Sequence, residues 1–359
     1  MIYLDYQATT PLAPEALAAM LPWLGGPETM GFANPHSTHR MGRAAAAAVA
    51  VARDQVAGLL PPGGRVIFTS GATEAINLAI LGRRPQRIAV SAIEHSAVLD
   101  TAAASGAAVD VIPVSPLGLV AAAREFAPGT DLVAVMQVNN EIGTIQPIAA
   151  LAERAHAAGA LLLCDAVQGA GKIAAPQGAD MIAVSAHKLY GPKGIGALWV
   201  RDGVDLAPLI HGGGQQGGLR SGTLSPALCA GFGAAAALCK SLWIKDGEHV
   251  DHLWETARAI LPHWTVQGDV AARWHGNLNI RRDGLDVARL MSDLRDIAFS
   301  AGSACASGSG RPSHVLEAIG LTATQAKSAV RIGFGRYTDP REFAAALLRI
   351  DAAAAAQEG

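Results

Sequence analysis

Short runs of apolar residues recur through the first two-thirds of the chain, and most are separated by Ala-rich stretches of helical length. The runs fall at 65–69, 87–90, 108–113, 131–136, 160–164, 180–184 and 196–200. The run 65–69 reads Arg-Val-Ile-Phe-Thr, and 131–136 reads Asp-Leu-Val-Ala-Val-Met. Runs this short, bounded by polar and turn residues, predict strands. The stretch 148–158 is typical of the helices between them. Strand–helix alternation predicts a seven-stranded, mainly parallel sheet covered by helices on both faces. In such sheets ligands sit beyond the carboxyl ends of the strands.

After about Lys240 the pattern changes. A helix over 246–261 is followed by short strands, including 278–280 and 330–334. The expectation is an α/β protein with a large domain over 15–245. A smaller α+β domain would be built from 246–359 and the N-terminal residues 1–14. The Ala-rich stretches 44–50 and 352–356 favour helix and call for no functional reading.

Composition narrows the field. The chain has 359 residues, 50% of them hydrophobic, with a net charge of −2. That is enough for a large core and more than one domain. The charge is scattered, which gives no footprint for nucleic acid or an anionic membrane. No apolar run is expected to span a bilayer. The N-terminus lacks the basic and apolar regions of a signal peptide, so a cytoplasmic location is expected. The cysteines Cys164, Cys229, Cys239 and Cys305 lack both metal-ligand spacing and a secreted disulfide pattern.

One strand end carries unusual chemistry. The run 180–184 leads into Ser185-Ala186-His187-Lys188-Leu189-Tyr190-Gly191-Pro192-Lys193-Gly194. A lysine is thereby delivered to the end of a buried strand, where lysine is rare. A lysine held in a dry site becomes a nucleophile toward aldehydes. The cofactor that uses such a lysine is pyridoxal 5′-phosphate (PLP), held as a Schiff base, and its ring nitrogen needs an acidic partner. The preceding run ends in Asp165, followed by Ala166-Val167-Gln168. Either segment alone fits a core strand with a polar loop. The two in this order point to the cofactor.

Other strand ends add to the pattern. Ser70-Gly71-Ala72-Thr73-Glu74 opens a helix, whose free amides suit a phosphate. Ser185 and His187 could donate to the same group. Glu94-His95-Ser96 places an imidazole where it could stack on a pyridine ring and shuttle protons. Val138-Asn139-Asn140-Glu141 offers amides to cofactor or substrate. The Gly-rich stretch 211–223 contains one arginine, Arg220, and lies where a functional loop is expected. Cys305 sits in a run of Gly, Ser and Ala over 300–310, the setting of an exposed thiol; the other three cysteines lie in apolar runs and should be packed.

Taken together these motifs resemble the cysteine desulfurases. They comprise Tyr3-Leu4-Asp5 with Ala8-Thr9-Thr10-Pro11, Ser70 to Glu74, Glu94-His95, Asn139 to Gly143 and Asp165 to Gln168. The lysine segment, Arg220 to Thr223, Gly302 to Cys305, and Arg331 with Gly335-Arg336 complete the set. They run in order through nearly the whole chain. The long small-residue loop around Cys305 is similar to the nitrogen-fixation and iron–sulfur-cluster branch, group I, of the class V aminotransferases.

The resemblance implies the PLP-dependent transferase fold type I, aspartate-aminotransferase-like, and a homodimer. It implies that Lys188 carries PLP, Asp165 pairs with the ring nitrogen, Gln168 with the phenolic oxygen, and His95 stacks on the ring. Ala72, Thr73, Ser185 and His187 would hold the phosphate, with Thr223 from the other subunit. Arg331 would clamp the substrate carboxylate with Asn140 nearby, Asn140 also bordering the cofactor. Cys305 would take sulfur from L-cysteine as a persulfide, leaving L-alanine. No resting metal is implied, with Cys305 at most a transient cluster ligand. The expected partner is a sulfur acceptor protein, such as an iron–sulfur scaffold. Selenocysteine lyase or another class V PLP enzyme is the alternative. Two departures stand out: Gln216-Gly217 replaces an acidic–basic pair, and the chain stops soon after the stretch 347–357, where many members carry a longer tail.

Overall fold

The structure, a computed structural model, describes residues 1–302 and 313–357. Strand β1 (Ile2–Tyr3) leads the chain. Seven strands follow: β2 (Gly64–Thr69), β3 (Arg87–Ser91), β4 (Ala108–Ile112), β5 (Leu132–Ala134), β6 (Leu161–Asp165), β7 (Met181–Ser185) and β8 (Gly196–Arg201). They form one sheet in the order β2-β8-β7-β6-β5-β3-β4. Only β8 runs against its neighbours, antiparallel to both β2 and β7; the other pairs are parallel. The expected seven-stranded, mainly parallel sheet is therefore present.

The continuous apolar runs follow from burial on both faces. Along β6, Leu162 and Cys164 enter one core while Leu163 enters the other; along β7, Ile182 and Val184 part from Met181 and Ala183 in the same way. Helices Ala72–Arg83 and Ser96–Ala104 cover one face. Helices Arg40–Ala57 and Ile148–Ala157, with the first half of Pro226–Ile260, cover the other. One close approach matters for the site. A Cβ on Gly196 would lie 2.7 Å from both the Gly71 carbonyl carbon and the Val184 oxygen. Glycine there lets the entry turn of the helix Ala72–Arg83 rest on β8.

The second part contains β9 (Thr265–Val266), β10 (Asn277–Arg281), β11 (Ile297–Ala298), β12 (Ser300–Ala301) and β13 (Ala329–Gly333). Four of them form the antiparallel sheet β12-β13-β10-β9. Its core includes Leu253, Ile280, Ile332, Phe334, Phe343 and Leu347. The N-terminal segment divides between the two cores. Ile2 and Tyr3 pair in parallel with Ile297 and Ala298, and Leu4 is buried in the smaller core. Tyr6 and Ala13 pack into the larger one.

Two expectations need correction. The helix expected over 246–261 is the second half of one 35-residue helix, Pro226–Ile260, so the change of pattern near Lys240 lies inside a continuous element. Its first half is rich in Ala, Gly and Cys, and these pack with Phe232 into the large core. The same helix is long and apolar enough, by length and composition, to cross a membrane, contrary to the expectation that no run reaches that length. Its apolar residues Phe232, Ala235, Ala236 and Cys239 are packed in the core beneath the sheet.

Candidate active site

At the carboxyl edge of the large sheet lies a cavity of about 590 Å³. The strand ends feed it in turn. Thr69 leads to Ser70 and the helix Ala72–Arg83, Ser91 to His95, Asp165 to Gln168, and Ser185 to Lys188. The smaller sheet contributes Arg331, from β13.

Lys188 ends a single helical turn, Ala186–Lys188, directly after β7. Its Nζ donates to the Gln7 carbonyl and, at 2.8 Å, to the Ala8 carbonyl. The turn is fixed two residues later by Tyr190, which has a left-handed φ of 67°. For a residue with a side chain this costs about 1–2 kcal/mol. Surrounding bonds hold it: Tyr190 N donates to Thr10 Oγ1 at 2.7 Å, Ala13 N to the Tyr190 carbonyl at 2.9 Å, and Arg336 N to the Tyr190 hydroxyl at 2.9 Å.

Asp165 ends β6 and is buried. Its Oδ1 accepts from Val167 N at 2.9 Å. Burial pushes its pKa up, against the pull of His95 and Lys188. Such a carboxyl holds its charge only beside a cation. Gln168 donates through Nε2 to the Gln7 carbonyl at 3.0 Å, while its Oε1 has no partner among the described residues. His95 caps the helix Ser96–Ala104, its Nδ1 accepting from Ala97 N at 3.0 Å.

The opposite end of the cavity suits an anion. Ala72 and Thr73 open a helix, where backbone amides lack intrahelical acceptors. Ser185 is buried beside them. His187 faces Thr9 Oγ1 through Nδ1 at 3.2 Å. Burial, with Lys188, Lys193 and Lys172 nearby, lowers its pKa to about 4, so the ring is neutral at pH 7.

Arg331 is only 3% exposed. Its Nη2 bonds Asp5 Oδ1 at 2.8 Å and its Nη1 the Asn140 carbonyl at 3.2 Å, while Nε has no partner. The cavity thus combines an amine, a carboxyl awaiting a cation, an amide oxygen without a donor, a helix N-terminus and a buried guanidinium. These fit a phosphorylated pyridine aldehyde and an amino-acid carboxylate.

Of the sequence candidates, Ala72, Thr73, His95, Asn140, Asp165, Gln168, Ser185, His187, Lys188 and Arg331 line this cavity together. Thr223 does not; it is exposed at the end of the Gly-rich loop. Cys305 lies outside the described residues. Asn139 is engaged elsewhere, donating to the Ile93 carbonyl and accepting from Glu141 and Ile142. The departure at Gln216 has a local role: its side-chain amide accepts from Phe68 N and donates to Phe68 O, both at 2.8 Å, covering the outer edge of β2. The residue-by-residue reading misses Asp5, Gln7 and Tyr190. For Asp5 the only signal is the N-terminal motif, and Gln7 falls between its two parts.

The class-V aminotransferase model matches residues 2–345. The chain belongs to that family. Its members are PLP-dependent and share fold type I. Over 364 aligned residues the chain is 40% identical to the cysteine desulfurase IscS of Rickettsia rickettsii (strain Iowa), covering 95% of this chain and 88% of that protein. The solved NifS-like protein from Rickettsia africae ESF-5 superposes with a TM-score of 0.88 at 29% identity, over 98% of this chain and 99% of its own. The structure of SspA in complex with cysteine superposes at 0.82, with 34% identity over 94% of this chain and 100% of that one.

Proposed function

We infer that the chain is a PLP-dependent cysteine desulfurase that takes sulfur from L-cysteine, forms a persulfide on Cys305 and leaves L-alanine. The observation that carries this reading is the meeting of Lys188, buried Asp165 and Arg331 in one cavity. The relative named IscS and the cysteine-bound SspA structure support cysteine as the substrate.

In this reading Lys188 would hold the cofactor through Nζ, which would also move the substrate's α-proton. Asp165 would keep a proton on the ring nitrogen, and that cation would let the buried carboxyl stay charged. Gln168 and His95 would hold the ring, and Ala72, Thr73, Ser185 and His187 the phosphate. Arg331, fixed by Asp5, and Asn140 orient the substrate carboxylate, so that the sulfur faces one direction. When bound, PLP supplies the electron sink for the carbanion. The Cys305 thiolate would bond the sulfur as the substrate C–S bond breaks; the bonding pair stays with the substrate β-carbon, which takes a proton to become the methyl group of alanine.

The working unit is a homodimer in which Thr223 completes the partner's phosphate site. The exposure of Thr223, and of Leu17, Leu21, Leu24 and Phe32, supports this. The persulfide then passes to an acceptor protein, for iron–sulfur clusters or other thio-cofactors. The test is incubation with L-cysteine and a reductant, measuring sulfide and alanine together. Equal yields are expected. Pyruvate and ammonia in place of alanine would exclude the reading.

A further inference from the structure

Behind the phosphate end of the cavity stands a charged pair that the proposed chemistry does not use. Glu74 is the third residue of the helix Ala72–Arg83, whose first turn meets the cavity through Ala72 and Thr73. Its Oε2 accepts from Ser70 N at 2.7 Å. Ser70 itself lines the cavity, so this carboxylate is bonded to the wall that would meet a phosphate. Arg220, from the Gly-rich stretch, grips it with two prongs. Its Nε donates to Glu74 Oε1 at 2.7 Å and its Nη2 to Oε2 at 3.1 Å.

The pair is partly shielded from water. Each side chain is 18% exposed, and buried Leu78 and Leu219 stand beside it. Burial alone would raise the Glu74 pKa, but the bonds from Arg220 and Ser70 prevail and hold it below 4.5. Glu74 is therefore an anion at neutral pH. The helix dipole favours an anion on the first turn, and it favours a phosphate there equally. The two compete for one positive end, and they repel each other. The donors assigned to the phosphate are the amides of Ala72 and Thr73, Ser185 and the neutral His187 ring, none of which carries a charge to offset that repulsion. Of the described cations lining the cavity, Lys188 and Arg331 have other tasks, which leaves Lys193.

We propose that Arg220 is a positioning residue for the cofactor phosphate, acting through Glu74, whose charge it cancels. This rests on the PLP reading of the cavity. Removing Arg220 leaves a bare carboxylate beside a phosphate dianion, a repulsion that solvent screens only in part. Removing the Glu74 charge instead leaves a cation beside the dianion. The two changes break the same ion pair, yet they act on the phosphate with opposite signs. An ion pair that only held the fold together would weaken binding whichever partner was lost. Glu74→Gln keeps an acceptor for Ser70 N, so it removes the charge without removing that bond.

The test uses the full chain, stripped of cofactor and titrated with PLP at about pH 8, where the phosphate is a dianion. The readout is the visible band of the lysine-bound aldehyde. Arg220→Ala should weaken PLP binding about tenfold. Glu74→Gln should bind PLP as tightly as wild type, or more tightly. The double variant should return to within about twofold of wild type. Pyridoxal lacks the phosphate, so Arg220→Ala should change its affinity by no more than about twofold. Unchanged PLP affinity in Arg220→Ala, an equal loss in Glu74→Gln, a double variant no better than Arg220→Ala, or an equal loss of pyridoxal would overturn the proposal. If Arg220→Ala does not fold, Glu74→Gln and the double variant decide it. Wild type that forms no such band with PLP would instead refute the cofactor reading itself.

Discussion

Glu94 is wholly buried, and its carboxyl accepts from Met136 N at 2.8 Å and from Ser91 Oγ. Burial pushes its pKa from 4.5 up to about 8. Between these values the folded chain keeps a proton that the unfolded chain has released, so stability falls as pH rises from 4.5 to about 8. Glu94→Gln keeps both acceptor contacts and does not titrate. Cofactor-free Glu94→Gln should therefore lose less stability than wild type between pH 5 and 8, measured by urea denaturation; parallel curves would exclude a protonated Glu94. His187 acts in the opposite sense. Its pKa is lowered from 6.5 to about 4, so its contribution is present above 6.5 and lost as pH falls through about 4. Lys188→Ala should abolish alanine formation and the visible band of a lysine-bound aldehyde, while PLP binds non-covalently. Lys188 and Asp165 are legible in the sequence because each ends an apolar run. Asp5, Gln7 and Tyr190 are not, because their meaning lies in partners far along the chain. Arg331 is 326 positions from Asp5, and Lys188 is 181 from Gln7.

At the scale of elements, the strands are the most legible feature. Residues buried on both faces form unbroken apolar runs, and β6, β7 and β8 each start within one residue of where the sequence places them. The two-residue pair β1 and β11 carries no periodicity and is set by the tertiary core around Leu4. The long helix Pro226–Ile260 is misread because its halves serve different cores, and only its composition changes near the middle. Gly196 shows how an element positions chemistry. Gly196→Ala would press a methyl group on the backbone of Gly71 and Val184, neither of which can move alone. The expected cost is about 1–3 kcal/mol. The displaced turn should also weaken PLP binding, read by cofactor titration. A variant with normal affinity would show that the approach of β8 to this helix does not set the phosphate end.

For the whole molecule, one sheet edge gathers strand ends from residues 69 to 188, and the smaller sheet brings Arg331 to the same cavity. The sequence pattern makes the large sheet legible, but where the small sheet docks depends on side-chain bonds such as Arg331 to Asp5. Leu21 and Leu24 are 59% and 63% exposed. Covering the exposed part of each would contribute about 1–2 kcal/mol. If the proposed dimer forms through this patch, Leu21→Glu with Leu24→Glu should shift the protein to monomer in sedimentation and weaken PLP binding by removing Thr223 of the proposed second copy. A double variant that remains a dimer would place the interface elsewhere. The central claim is that sulfur from cysteine arrives on one thiol of this chain. Cys164, Cys229 and Cys239 are buried, and burial raises the pKa of each. Wild type should be treated with L-cysteine without reductant, digested, and examined by mass spectrometry for added sulfur. The account predicts one extra sulfur atom on the Cys305 peptide, matched by one alanine. Added sulfur on Cys164, Cys229 or Cys239, or alanine formed with no persulfide on Cys305, would contradict it.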